Sequence, residues 1–145
     1  MKKELLIIAV SLVLISVIHA QTAAELEAVL ESTAITNTQA ASFVIRSVDS
    51  DFTGNAFEQA VERGWLKSAS PDEKITLGRL SFLFMKAFEM TGGLMYRIFP
   101  GPRYAYRTML SRNFIHGDSD PAMTVSGDRF LLILGRILSA EGDDL

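Results

Sequence analysis

The stretch that opens at Ile75-Thr76 and closes at Thr91-Gly92-Gly93 constrains the fold more than any other part of the sequence. Between Leu77 and Met90 the polar side chains are Arg79, Ser81, Lys86 and Glu89, and the rest are apolar or glycine. A helix that is apolar on nearly every side escapes water only when other elements surround it. The segment therefore predicts a central helix, capped by the Thr76 hydroxyl and stopped by the glycine pair.

Its neighbours read as helices too. Thr22 to Ser32 places Ala23, Leu26, Val29 and Leu30 on one face at helical spacing. A Thr/Asn-rich break at Thr33–Asn37 leads into a helix from about Asn37 to Val48, with Ala40, Ala41, Phe43, Val44 and Val48 apolar. After the Asp/Ser/Gly turn at 49–54, a short helix spans about Asn55 to Arg63, and Gly64 sits where a left-handed stop belongs. Trp65 and Leu66 return to the core before a polar loop, Lys67 to Lys74. Beyond the central helix, Leu94 to Phe99 is expected to be extended or irregular, and Pro100-Gly101-Pro102 is a hard break. Pro102 suits the first turn of a helix running to about Arg112. A loop over Ile115–Thr124 precedes a last helix, capped by Ser126, that buries Phe130, Leu131, Ile133, Leu134, Ile137 and Leu138. The expected fold class is all-α, a compact bundle of five or six helices with two pseudo-repeats and irregular connections. An acidic, frayed tail is expected at 141–145.

The N-terminus reads as an export signal. Met1-Lys2-Lys3 is followed by an apolar run from Leu5 to Ile18, and Val17-Ile18-His19-Ala20 offers a small residue at the cut. A bilayer span needs roughly 20 apolar residues, so cleavage after Ala20 is favoured over an uncleaved anchor. This divides the chain into a leader at 1–20, one helical domain at 21–140 and the tail. Removing Lys2, Lys3 and Glu4 leaves 12 basic against 16 acidic residues, a net charge of about −4, which argues against nucleic acid as a partner. The chain has no Cys, so disulfide staples, thiol chemistry and a lipoprotein-type lipid are excluded. The expected location is exported, periplasmic or associated with the cell surface, touching a membrane only through the leader if it stays uncleaved.

An internal repeat runs through the domain. A β-branched residue and a hydroxyl cap open helices at Ile35-Thr36, Ile75-Thr76 and Val125-Ser126, spaced by 40 and 50 residues. Ala56-Phe57 to Gly64-Trp65-Leu66 also aligns with Ala105-Tyr106 to Asn113-Phe114-Ile115. In both, a short helix ends at a residue that tolerates the left-handed conformation, and an aromatic and an aliphatic then reinsert. Over roughly Ile35 to Leu138 this layout resembles the S-layer homology (SLH) domain. In that family an Ile-preceded helix opens with Thr-Arg-Ala-Glu, downstream of a Gly-aliphatic-Gly turn. Here the openings read Thr36-Asn37-Thr38-Gln39, Thr76-Leu77-Gly78-Arg79 and Ser126-Gly127-Asp128-Arg129, keeping the hydroxyl and lacking the family's Arg and Glu. The resemblance implies a helical repeat fold and anchoring to acidic, ketal-modified cell-wall polysaccharide.

The segment Met95 to Arg107 holds all three Tyr residues and three arginines. Arg103 and Arg107 stand four apart on one helix face, and Arg97 arrives on the incoming segment. Together they predict a forked site for carboxylate or phosphate, with Tyr104 beside them for sugar stacking. The structural alternative packs Tyr104 and Tyr106 partly into the core and leaves the arginines snorkelling at the surface. His116, Asp118 and Asp120 read as an Asx turn rather than a metal site, because Pro121-Ala122-Met123 supply no further oxygens. Trp65 reads as a core anchor, and Phe82, Phe84, Met85, Phe88 and Met90 as core unless part of that face stays exposed as a docking patch. No nucleophile, base and orienter set is present, and no cofactor is implied. The expectation is a non-catalytic envelope protein that binds a cell-wall glycan or envelope component through Arg97, Arg103, Tyr104 and Arg107. The alternative is a protein–protein adaptor or assembly factor.

Overall fold

The computed structural model describes residues 22–67 and 69–143. The expected leader at 1–20 lies outside them. Among the described residues the protein is all-helical, with seven helices and two isolated antiparallel bridges. The first, α1, covers 22–30. It is followed by α2 (Asn37–Val48), α3 (Ala56–Glu62), α4 (Leu77–Ala87), α5 (Leu94–Ile98), α6 (Pro102–Ser111) and α7 (Gly127–Asp143). None of them is long and apolar enough to cross a membrane.

The central helix behaves as its sequence dictates. Nine of the eleven residues of α4 are buried, Ser81 among them, its hydroxyl donating to Leu77 O at 2.7 Å. Packing around it is aromatic: Phe84 stacks on Phe130 of α7 at 5.8 Å, and Phe43 of α2 meets Phe130 edge-on at 6.0 Å. The helix stops at Phe88 because Glu89 takes a left-handed φ of 48°, short of the expected Met90.

The three repeated openings converge on one another. Ile35, Ile75 and Val125 are all fully buried, and their backbones join: Ile75 N–H donates to Ile35 O at 3.0 Å and Ile35 N–H donates to Val125 O at 2.9 Å. The first helical N–H of each opening then reaches the chain just before another opening. Asn37 N–H donates to Glu73 O, Leu77 N–H to Met123 O and Gly127 N–H to Ser32 O, at 2.8–2.9 Å. This is a closed cycle of three, which satisfies helix N-termini that would otherwise be orphaned. Thr36 closes a full capping box with Gln39, and Thr76 accepts from Arg79 N–H.

The second halves of the repeat also match in three dimensions. Gly64 and Asn113 have φ of 73° and 59°. Trp65 N–H donates to Ala60 O and Phe114 N–H to Met109 O, the six-to-one bond of a helix stop. Leu66 and Ile115 are then buried.

Several expectations need correcting. Leu94–Phe99 is not extended: it forms α5, the extra helix, in which Arg97 N–H donates to Gly93 O and Phe99 N–H to Met95 O. It lasts little more than one turn because Phe99 precedes Pro100 and is pushed out of the helical region, to φ −126° and ψ 75°. Residues 141–143 lie within α7, which runs to Asp143. In α1, Val29 is buried while Leu26 and Leu30 stay exposed, so this helix rests on the bundle by one edge.

Candidate functional site

The helical hairpin α5–α6 carries the segment singled out by sequence. Gly101 is extended at the N-cap of α6 and Pro102 takes its first turn, where a missing N–H costs nothing. The hairpin is pinned from behind. Tyr96 is buried and meets Phe82 of α4 edge-on at 6.3 Å. Burial raises the Tyr96 phenol above its usual value of 10.0, so this ring stays neutral. Gly92 makes room for it, because a Cβ there would lie 2.4 Å from the Tyr96 ring. Arg112, at the end of α6, donates to Thr91 O at 2.6 Å and closes the base.

The four predicted site residues fall on this hairpin. Tyr104 and Arg107 line a shallow groove of about 300 Å³ between α5 and α6, together with Leu94, Met95, Tyr96 and Ser111. Arg97 stands exposed on α5, and Arg103 is exposed one turn before Arg107. Tyr96 and Tyr106 are buried, Tyr106 sharing a 2.8 Å hydrogen bond with Ser119 Oγ, and Tyr104 is the half-exposed tyrosine.

What sets the three arginines apart is their lack of work inside the fold. Arg46 pairs with Glu25 at 2.6 Å, Arg79 with Glu73 at 2.9 Å, and Arg63 lies 5.0 Å over the Trp65 ring. Arg112 holds Thr91, Arg129 holds the carbonyls of His116 and Asp118, and Arg136 holds Phe114 O. Of the nine arginines, only Arg97, Arg103 and Arg107 have no internal partner among the described residues.

Two features of this face escaped the sequence reading. Between Met90 and Gly117 the chain carries four arginines and not one carboxylate, so an acidic protein presents one locally cationic region. That signal was readable by counting charge along the chain. The second was not: α5 and its C-cap leave Leu94 70 %, Met95 52 %, Ile98 54 % and Phe99 62 % exposed. The Phe and Met of α4, by contrast, are buried or half-buried and offer no docking patch.

Other candidate positions have structural roles. Asp120 Oδ1 accepts Ala122 N–H at 2.7 Å in an Asx turn, while His116 and Asp118 are exposed with their carbonyls held by Arg129. No three His, Asp or Glu side chains gather as a metal site among the described residues. A larger groove, of about 740 Å³, is lined by Arg63, Trp65 and Lys86 but also by Asp49, Glu89 and Glu141. Two cations there stand against three carboxylates, so the groove does not favour an anion. No family model matches this chain, and neither a curated protein nor a solved structure matches it.

Proposed function

We propose that this chain is an exported, non-catalytic envelope protein that binds an anionic envelope component, wall glycan or lipid headgroup, through the face bearing Arg97, Arg103, Tyr104 and Arg107. One observation carries the reading: among the described residues these three arginines alone of the nine have no internal partner, and they lie in a stretch without a carboxylate. A fold that uses every other arginine leaves these three available for an external anion, and arginine suits carboxylate and phosphate oxygens. The closed cycle of three helix openings supports the likeness to SLH repeats, and with it an anchoring rather than a chemical role. A protein adaptor is the second reading, favoured by the exposed apolar side chains of α5.

Retention on purified, protein-stripped envelope material tests it. Arg103→Ala with Arg107→Ala should release the protein, and rising salt should weaken retention of the parent chain. Retention unchanged by both would remove this face from consideration.

A further inference from the structure

Resting on that reading, we infer that the anionic component is the headgroup layer of a lipid bilayer, against which α5 lies with its apolar side chains inserted. This goes beyond a membrane contact made through a leader.

The first argument is what the exposed side chains are. Leu94, Met95, Ile98 and Phe99 are more than half exposed within six residues, and three of the four have no ring to stack on a sugar. Each residue of a helix advances about 100°, which puts Leu94 and Ile98 together on the side away from the buried Tyr96, with Arg97 beside them. An apolar strip flanked by arginine is the composition of a segment that sits in the boundary between headgroups and acyl chains. The arginine stems can run along that boundary with the guanidinium among phosphates.

Charge is the second argument. The three arginines without an internal partner among the described residues are distributed over two helices, Arg97 on α5 and Arg103 and Arg107 on α6. A bilayer presents its phosphates as a sheet, which suits cations distributed in this way. Four arginines without a carboxylate from Met90 to Gly117 complement that sheet, whereas the acidic remainder of the chain is repelled by it. A protein partner would need an apolar surface ringed with acid. The fold itself requires no such cover, since Tyr96, Phe82 and Thr91 already hold the hairpin in place.

The test is co-sedimentation of residues 22–145, which contain every core side chain among the described residues, Val29 to Ile137. The probes are vesicles of mixed phosphatidylglycerol and phosphatidylethanolamine, vesicles of phosphatidylcholine alone, and protein-free sacculi. Binding is expected on the anionic vesicles and not on the neutral ones. Each of Arg97→Ala, Arg103→Ala and Arg107→Ala should weaken it about fivefold. Phe99→Ala should weaken it about tenfold or more. Arg103→Lys and Arg107→Lys should bind like the parent, because a sheet of phosphates reads charge and not a planar fork. Binding to sacculi but not to anionic vesicles, or loss of vesicle binding on Arg→Lys, would overturn the lipid inference and leave the anionic-envelope reading standing. Binding to neither would overturn both.

Discussion

Replacing Gly127 by alanine probes the joint where the cycle of helix openings closes. Gly127 begins α7, and a Cβ built there would fall 1.5 Å from Val29 O and 2.5 Å from Val29 C. Both atoms are backbone, so no side-chain rotation relieves the clash. The fold has two ways out. It can shift the α7 backbone, at an overpacking cost of about 1–3 kcal/mol. Or it can release α1, losing the burial of Val29, roughly 1.5–3 kcal/mol, and the hydrogen bond from Gly127 N–H to Ser32 O, about 1 kcal/mol. The cheaper response sets the loss, about 1–3 kcal/mol. At about 3–5 °C per kcal/mol for a domain of this size, Tm should fall by roughly 3–15 °C. Thermal and urea denaturation followed by circular dichroism measure it. A chain shortened to begin at Thr33 has no Val29 to strike, and there the same substitution should reverse sign. Alanine in place of a helical glycine would then stabilise by about 0.4–1 kcal/mol, through a less flexible unfolded chain. Gly127→Ala as stable as the parent in the full chain, or equally harmful in both chains, would refute the reasoning.

Other substitutions separate structural from available residues. Thr36→Ala and Thr76→Ala should each cost about 1 kcal/mol by removing a cap, with Thr36 the costlier because its box with Gln39 is complete; urea midpoints at constant slope check this. Arg129→Ala and Arg136→Ala leave backbone carbonyls without their donors and should cost about 1–2 kcal/mol, whereas Arg103→Ala and Arg107→Ala should stay within about 0.5 kcal/mol of the parent in the same assay. The pH dependence has a definite sign. The hydrogen bond from Arg79 holds the Glu73 carboxyl below its usual 4.5, and the hydrogen bond with Ser126 holds Asp128 below 3.8. Carboxylates lowered in this way add stability above their unfolded values and lose it as the pH falls through the folded ones. Stability should therefore decline from about pH 4.5 downward, and less steeply in Glu73→Gln and Asp128→Asn; a profile unchanged by both would contradict the assignment.

The sequence made the frame of the fold legible because local and tertiary signals agree there. The bounds of α2 match because Thr36 and Gln39 form the box that starts it and Asp49 caps its end. The three openings were readable because each puts a buried β-branched residue into the hydrogen-bonded cycle, and Thr36 and Thr76 cap the helices that follow them. The helix α5 was not readable: glycines before it and Pro100 after it are breakers, and one turn of helix between them owes its stability to Tyr96 against Phe82. The site was half legible. A cluster of Arg and Tyr shows in the sequence, but only the fold shows which tyrosines the core consumes and which arginines already have partners. Periodicity also had nothing to say about Leu94, Ile98 and Phe99, since a single turn is too short to display a face.

We propose that the α5–α6 face, and no other surface, meets the envelope. Hydrogen–deuterium exchange of the chain, free and bound to its own envelope material, is the measurement to make. New protection should be confined to Gly93–Arg107 and lost in the variant combining Arg97→Ala, Arg103→Ala and Arg107→Ala. Protection centred instead on the groove of Arg63, Trp65 and Lys86, with 93–107 exchanging as in the free protein, would contradict it.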